Sequence, residues 1–436
     1  MDTLAVVSIV LLGGIALGIA LGLPVAVAMG LPSAIAIALL LGWEGAALTS
    51  AQRMFAGTNS FALLAIPFFI LAGGLMNTGG IAARLIDLAK VLSGRLPGSL
   101  AQTTVVANTM FGAVSGASVA SAAAVGTVLS PRMKKEGYDP SFTAAVNAAS
   151  SPAGMLIPPS NTFIIYSLVS GTSIAALFLA GVGPGLLWSL LCALVVLIYV
   201  RKRPELRASE RPTVREGFIV FLRAIPALGM IFVVIGGILL GWFTATESSV
   251  IAVVYSLVLG FVQRTLDWRK LPAIVLEAAK TTAIVMLLIG VSGILAWVLS
   301  FARIPESITA GLLGLTDNTA IILIIIMVVL LLAGTVMDPT PAILIFTPIF
   351  LPVVTALGVS PIHFGAMMVF NMCLGNISPP VGNNIFVAAR VARVRIEPVF
   401  GRIMPFFWAL CAGLLLVTFW EPLSLWLPQA FGLIRP

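Results

Sequence analysis

Asn147-Ala148-Ala149-Ser150-Ser151-Pro152-Ala153-Gly154-Met155-Leu156-Ile157-Pro158-Pro159-Ser160-Asn161-Thr162 lies inside a long hydrophobic segment and cannot continue as one helix. Pro152, Pro158 and Pro159 each lack a backbone donor and clash with the preceding turn, and Gly154 adds flexibility between them. The carbonyls freed from Ser151 to Met155 need partners, and a desolvated sodium ion is a suitable one. A helix restarting near Ser160 presents an anion-attracting N-terminus. The same design returns at Asn371-Met372-Cys373-Leu374-Gly375-Asn376-Ile377-Ser378-Pro379-Pro380-Val381-Gly382-Asn383-Asn384.

The two stretches are in register. A shift of 221 residues lays Pro158-Pro159 on Pro379-Pro380, Gly154 on Gly375, Gly137 and Pro140 on Gly358 and Pro361, and Ala145 on Ala366. Such self-similarity marks a repeated membrane unit.

Composition sets the solvent around these breaks. Hydrophobic residues make up 60% of the 436 and charged ones 9%, with a mean hydropathy of +1.13. A soluble domain carries about a quarter charged residues. The chain therefore reads as an all-α polytopic membrane protein, because lipid requires every backbone polar group to be paired internally. Crossings are expected near 4–22, 24–41, 60–79, 141–170, 173–200, 224–242, 246–263, 283–301, 361–390 and 403–427. Re-entrant hairpins are expected near 99–130 and 319–352. The first crossing reads as a membrane helix and not a cleaved signal, since it lacks a basic leader.

Five crossings per half is an odd number, so the second half runs through the membrane inverted. Residues 1–200 form the first repeat, 201–223 a basic cytoplasmic linker, and 224–436 the second repeat. With the N-terminus outside, 21 of the 24 Lys and Arg fall on the cytoplasmic side, leaving Arg53, Arg303 and Arg435 outside. That is the positive-inside pattern, so the net charge of +8 orients the chain and does not argue for nucleic acid. Ile81 to Leu92 and Leu271 to Thr281 read as amphipathic cytoplasmic segments.

Polar residues inside apolar segments mark the candidate site. The first hairpin turns at Gly112-Ala113-Val114-Ser115-Gly116-Ala117-Ser118 and the second at Ala333-Gly334-Thr335-Val336-Met337-Asp338-Pro339-Thr340. Asp338 is the acidic residue deepest in an apolar segment, where an unpaired charge costs at least roughly 2.5–3.5 kcal/mol. It reads as a helix N-cap ahead of Pro339, as a cation ligand, or as both. Small residues at the tips also suit close helix packing. Arg303 is placed either to clamp a carboxylate or to pair with Glu306. Glu247 reads as a helix cap. His363 reads as an interfacial or capping residue, and Cys192, Cys373 and Cys411 as buried small hydrophobes. A channel would need a continuous polar stripe, and an intramembrane enzyme a nucleophile with its base; neither pattern is present in the sequence.

Ser115-Gly116-Ala117-Ser118, Ser151-Pro152-Ala153-Gly154, Met337-Asp338-Pro339-Thr340-Pro341-Ala342, Gly375-Asn376-Ile377-Ser378-Pro379-Pro380-Val381-Gly382 and Gly241-Trp242-Phe243-Thr244-Ala245-Thr246-Glu247 resemble the large membrane subunit of tripartite ATP-independent periplasmic transporters. The resemblance runs nearly end to end. It implies an elevator: a transport domain of both hairpins and both broken helices moving against a scaffold made of the remainder. It implies import of an organic acid such as a C4-dicarboxylate, sialic acid or keto acid, coupled to sodium at two or more sites. A separate small four-helix membrane subunit and a periplasmic substrate-binding protein complete such systems, in the bacterial inner membrane, with both termini of this chain periplasmic and its flanks in lipid. Carried over by position, one sodium site uses Ser115, Gly116, Ser118, Ser151, Pro152 and Gly154. The other uses Gly334, Thr335, Met337, Asp338, Gly375, Asn376 and Ile377. Substrate falls to Ser160, Asn161, Thr162, Arg303, Thr340, Gly382 and Asn383. Ala117 departs from the pattern by removing one hydroxyl from the first tip. A proton-coupled anion transporter working without a binding protein is the alternative.

Overall fold

The computed structural model describes residues 3–78, 81–206, 213–316, 318–379 and 381–434; residues 207–212 of the basic linker, Pro380 and Arg435 lie outside them. Among the described residues every regular element is helical. The first half runs α1 (Thr3–Ala20), α2 (Val25–Thr58), α3 (Ala65–Thr78), α4 (Ile81–Ser93), α5 (Ser99–Ser115), α6 (Ser118–Lys135), α7 (Pro140–Ser150), α8 (Ala153–Leu156), α9 (Asn161–Ser170) and α10 (Ile174–Arg201). The second runs α11 (Val214–Leu239), α12 (Ala245–Val262), α13 (Leu271–Phe301), α14 (Ile304–Leu315), α15 (Thr319–Val336), α16 (Pro339–Ala356), α17 (Pro361–Gly375), α18 (Asn383–Ala392), α19 (Ile396–Phe419) and α20 (Pro422–Ala430).

Local chemistry sets the boundaries. Gly116 and Gly171 end α5 and α9 in the left-handed conformation that glycine adopts without strain. Ser160 and Ser173 cap α9 and α10 through their hydroxyls, and Thr244 with Glu247 closes a reciprocal capping box on α12, the role expected of Glu247. Among the described residues, eight helices are long and apolar enough to span a bilayer, both arms of the second hairpin included. The two broken segments escape that length criterion, because each crossing is divided between two short helices.

The helix of the second crossing is interrupted at Gly42 (φ 76°, ψ 172°), beside its expected end at residue 41, and a second helical stretch runs on to Thr58. Three details depart from the sequence reading. Leu271 to Thr281 is not a separate interfacial helix but the first turns of α13. The element that follows Phe301, as α4 follows α3, is α14; α4 packs on α5, and α14 on α16. His363 is buried, its ring nitrogens 2.6 Å from Ser424 Oγ and 3.1 Å from the Thr418 carbonyl oxygen.

Packing sorts most helices into two groups, joined where α4 packs on α5 and where α13 and α14 pack on α16. α1, α2 and α13 pack together, α3 on α12 and α13, and α11 on α4 and α12. In the other group α5 to α9 and α15 to α18 assemble around α10 and α19, with α20 against α10 and α17. The largest fully buried side chains are concentrated there: Phe111, Phe142, Phe163, Tyr166, Trp188, Phe364 and Phe370. Trp188 meets Phe370 edge-on at 4.9 Å between centroids, and Tyr166 OH donates to the Pro361 carbonyl at 2.6 Å, fastening the two halves to each other. In lipid such contacts act through close packing and not through exclusion of water. Exposed Leu17, Phe55, Phe232, Val262, Leu332 and Trp408 face outward as a lipid-facing surface requires.

Candidate functional site

Each break is seated on a hairpin by paired glycines. A Cβ on Gly112 of α5 would fall inside the backbone of Gly154, and one on Gly154 inside that of Gly112. At the second hairpin a Cβ on Gly375 of α17 would fall inside the backbone of Gly334 of α15, whereas one on Gly334 would lie 3.3 Å from Gly375 Cα, a tight contact only. Only glycine permits such an approach at Gly112, Gly154 and Gly375.

At the first break, Ser160 turns its hydroxyl back to the Met155 carbonyl, and Thr162 Oγ1 donates to the same oxygen at 2.9 Å. Pro158–Pro159 is a cis peptide. Trp188 Nε1 donates to the Ala149 carbonyl at 2.9 Å. The carbonyls freed by the prolines are thus partly taken up by neighbouring side chains. The hairpin tip lies alongside: a Cβ on Gly116 would lie 3.2 Å from Asn161 Nδ2, and Ser118 Oγ donates to Asn384 Oδ1 at 3.2 Å. Ser151 Oγ donates to the Ala148 carbonyl at 3.1 Å, and Ser115 Oγ to Ala117 O at 3.3 Å. A hydroxyl that donates elsewhere keeps its lone pairs, so these oxygens remain available to a cation.

The second break is more open. Gly382 holds φ 35° at the start of α18, 3.1 Å from the Asn376 carbonyl if given a Cβ. Asn376 is buried and its Oδ1 has no hydrogen-bond partner. An orphaned buried carbonyl oxygen fits a cation and costs about 1–3 kcal/mol when left unmatched. Asp338 stands at the N-cap position of α16 with Pro339 next, yet its side chain makes no capping bond. Its Oδ1 accepts instead from Asn383 Nδ2 at 2.7 Å, and the residue is exposed, not buried deep in the apolar segment.

The structure therefore sorts the expected residues. The first hairpin meets its break where Gly112 faces Gly154 and Gly116 lies beside Asn161, and the second where Gly334 faces Gly375; Ser118 bonds Asn384, and Asp338 bonds Asn383. Asn161 lies against the first tip, and Thr340 is the second residue of α16. Ser160 and Thr162 serve the break itself. Asn383 is engaged with Asp338. Arg303 is exposed, in the left-handed conformation (φ 49°) at the start of α14; among the described residues it has no ion pair with Glu306.

A buried polar cluster went unread in the sequence. Asn108 Nδ2 donates to Asn147 Oδ1 at 3.0 Å and Ser150 Oγ at 2.8 Å, Ser121 Oγ donates to Asn108 Oδ1 at 2.8 Å, and Asn147 Nδ2 donates to Ala122 O at 2.8 Å. The available signal was Asn108 itself, an amide within an apolar hairpin arm. Asn384 was also missed as a partner of Ser118.

Residues 12–423 match the family model described as "Tripartite ATP-independent periplasmic transporter, DctM component". The C4-dicarboxylate TRAP transporter large permease protein DctM of Pseudomonas aeruginosa is 38% identical over 91% of this chain and 93% of its own length. The sialic acid TRAP transporter large permease protein SiaM of Vibrio cholerae is 34% identical over 88% and 90%. The fold is shared with a crystal structure of the YdaH transporter of Alcanivorax borkumensis at a TM-score of 0.65, with 16% identity over 90% of this chain and 89% of that one. Those breaks and tips accordingly sit in a multi-pass membrane permease, and the chain belongs to the tripartite ATP-independent periplasmic transporter family as its DctM component.

Proposed function

We propose that the chain imports a small organic acid across the bacterial inner membrane, coupled to sodium. The observation that carries this reading is the seating of each hairpin tip on its own break, Gly112 on Gly154 and Gly334 on Gly375, with an unmatched acceptor, Asn376 Oδ1, buried beside the second. Ser115, Ser118 and the Ser151–Gly154 backbone would hold one sodium ion, and Asp338 with the Gly375–Ile377 break another. Sodium at each pair orders its tip, and the helix N-termini between the tips then attract the carboxylate. Ion and substrate share a binding free energy, which is the coupling.

Two relatives carry the names of a C4-dicarboxylate and of sialic acid transport, both carboxylic acids, which supports an organic acid as substrate. Family membership supports a small membrane subunit and a periplasmic binding protein as partners. The packing groups support an elevator in which α10, α19 and α20 travel with the hairpins and broken helices, a larger moving body than the hairpins and breaks alone.

Uptake into proteoliposomes holding the permease and its small subunit, with binding protein outside, tests the reading. A sodium gradient should drive accumulation of the organic acid. Equal accumulation on a proton gradient alone, or without binding protein, would overturn it. A thermal-shift screen of the binding protein against organic acids names the substrate.

A further inference from the structure

Asn383 and Asn384 open α18, and each reaches a different hairpin. Asn383 Nδ2 donates to Asp338 Oδ1 at 2.7 Å, on the second tip. Asn384 Oδ1 accepts from Ser118 Oγ at 3.2 Å, on the first. Neighbouring positions on a helix point about 100° apart, so one rigid turn can hold partners on two sides. Asn384 is fully buried, and its backbone N–H donates to the Asn376 carbonyl at 3.3 Å, tying the same turn to the second break. Asp338, at the other end of the chain of bonds, is exposed and carries the charge.

We propose that the Asn383–Asn384 pair links the two hairpin tips, so that ordering one tip orders the other. The bond to Asp338 is exposed and the bond to Ser118 is buried. A cation arriving at Asp338 alters the pull on Asn383, and the start of α18 passes the displacement through Asn384 to Ser118. In transport, this inference rests on the reading of the tips as ion sites; the link itself rests on the two bonds. Linked sites change one another's affinity by about 5–150-fold.

Hydrogen–deuterium exchange on the full-length protein in nanodiscs tests the link. Asn383→Leu touches only the second tip, yet it should raise exchange at residues 112–121 at least 5-fold; Asn384→Leu should do the same at 333–340. Asp338→Asn keeps an oxygen to accept from Asn383, so it should leave residues 112–121 unchanged, whereas Asp338→Leu should loosen them. Changes confined to the near tip in both asparagine variants would overturn the proposal. Asn383→Ser and Asn384→Ser give the same reading should either leucine variant fail to fold. In sodium titrations the wild type should show a Hill slope above 1 that falls to 1 in either asparagine variant. A wild type indifferent to sodium would defeat the ion reading above, while the far-tip exchange would still decide the link.

Discussion

The two hairpins share a backbone and differ in how they are held. α6 and α16 each span 18 residues, and each tip seats glycine on glycine against its break. Behind the first tip, Asn108, Asn147, Ser150 and Ser121 form a closed, fully buried hydrogen-bond network across α5, α6 and α7. Behind the second, Asn371 Nδ2 makes one bond to the Met327 carbonyl at 2.9 Å, with its Oδ1 left unmatched. Hydrophobic side chains such as Ile343, Leu344 and Met368 fill the rest. Hydrogen bonds between membrane helices are worth about 0.6 kcal/mol on average, with a maximum near 1.7, so a network of several is a substantial anchor. The comparison assigns stiffness to the first hairpin and compliance to the second, which also carries the charge.

The comparison breaks or sharpens at four places. Asn108→Leu strands Asn147, Ser150 and Ser121 at once and should destabilise the protein by about 3 kcal/mol in detergent unfolding. Asn371→Leu loses one bond and relieves an orphan, so it should stay within about 1 kcal/mol of wild type; equal losses would erase the difference between the hairpins. Gly154→Ala and Gly375→Ala should each cost about 2 kcal/mol by the same measurement, because the glycine contact is common to both hairpins and the opposing backbone cannot yield. Unequal losses would show that one seat is the more tightly made. Arg303→Gly relieves a left-handed residue ahead of α14, which leans on the second hairpin, and should raise stability by about 1 kcal/mol. Unchanged uptake in that variant would remove Arg303 from the substrate site. Asp338→Asn should shift unfolding by no more than about 0.5 kcal/mol, since the residue is exposed. Its sodium-dependent uptake should nevertheless disappear; wild-type sodium dependence would leave Asp338 as a partner of Asn383 alone.

Much of this was legible in particular residues. Three prolines and a glycine between Pro152 and Pro159 dictate a break, and the structure interrupts its helices there. The turns at Gly116 and before Pro339 fall where the small residues and proline place them. Thr244 and Glu247 cap because their spacing puts each within reach of the other's backbone. Asp338 was half legible: its position was readable, its partner was not. The partner of Ser160 and Thr162 was not legible, because a hydroxyl beside an anion-attracting helix end can equally satisfy a freed carbonyl, and here both donate to that of Met155.

By itself, then, the amino-acid sequence determined what acts over a few residues or through lipid: helices, their caps, the two breaks, the hairpin tips and the multi-pass character. Backbone hydrogen bonding and the geometry of proline and glycine are local, and a bilayer enforces them strictly. Tertiary structure alone decided which polar group meets which. Ser118 finds Asn384 across 266 residues, and Asn383 finds Asp338 across 45. A side chain with several possible partners takes the one that packing brings within 3 Å, and packing is a property of the whole assembly of helices.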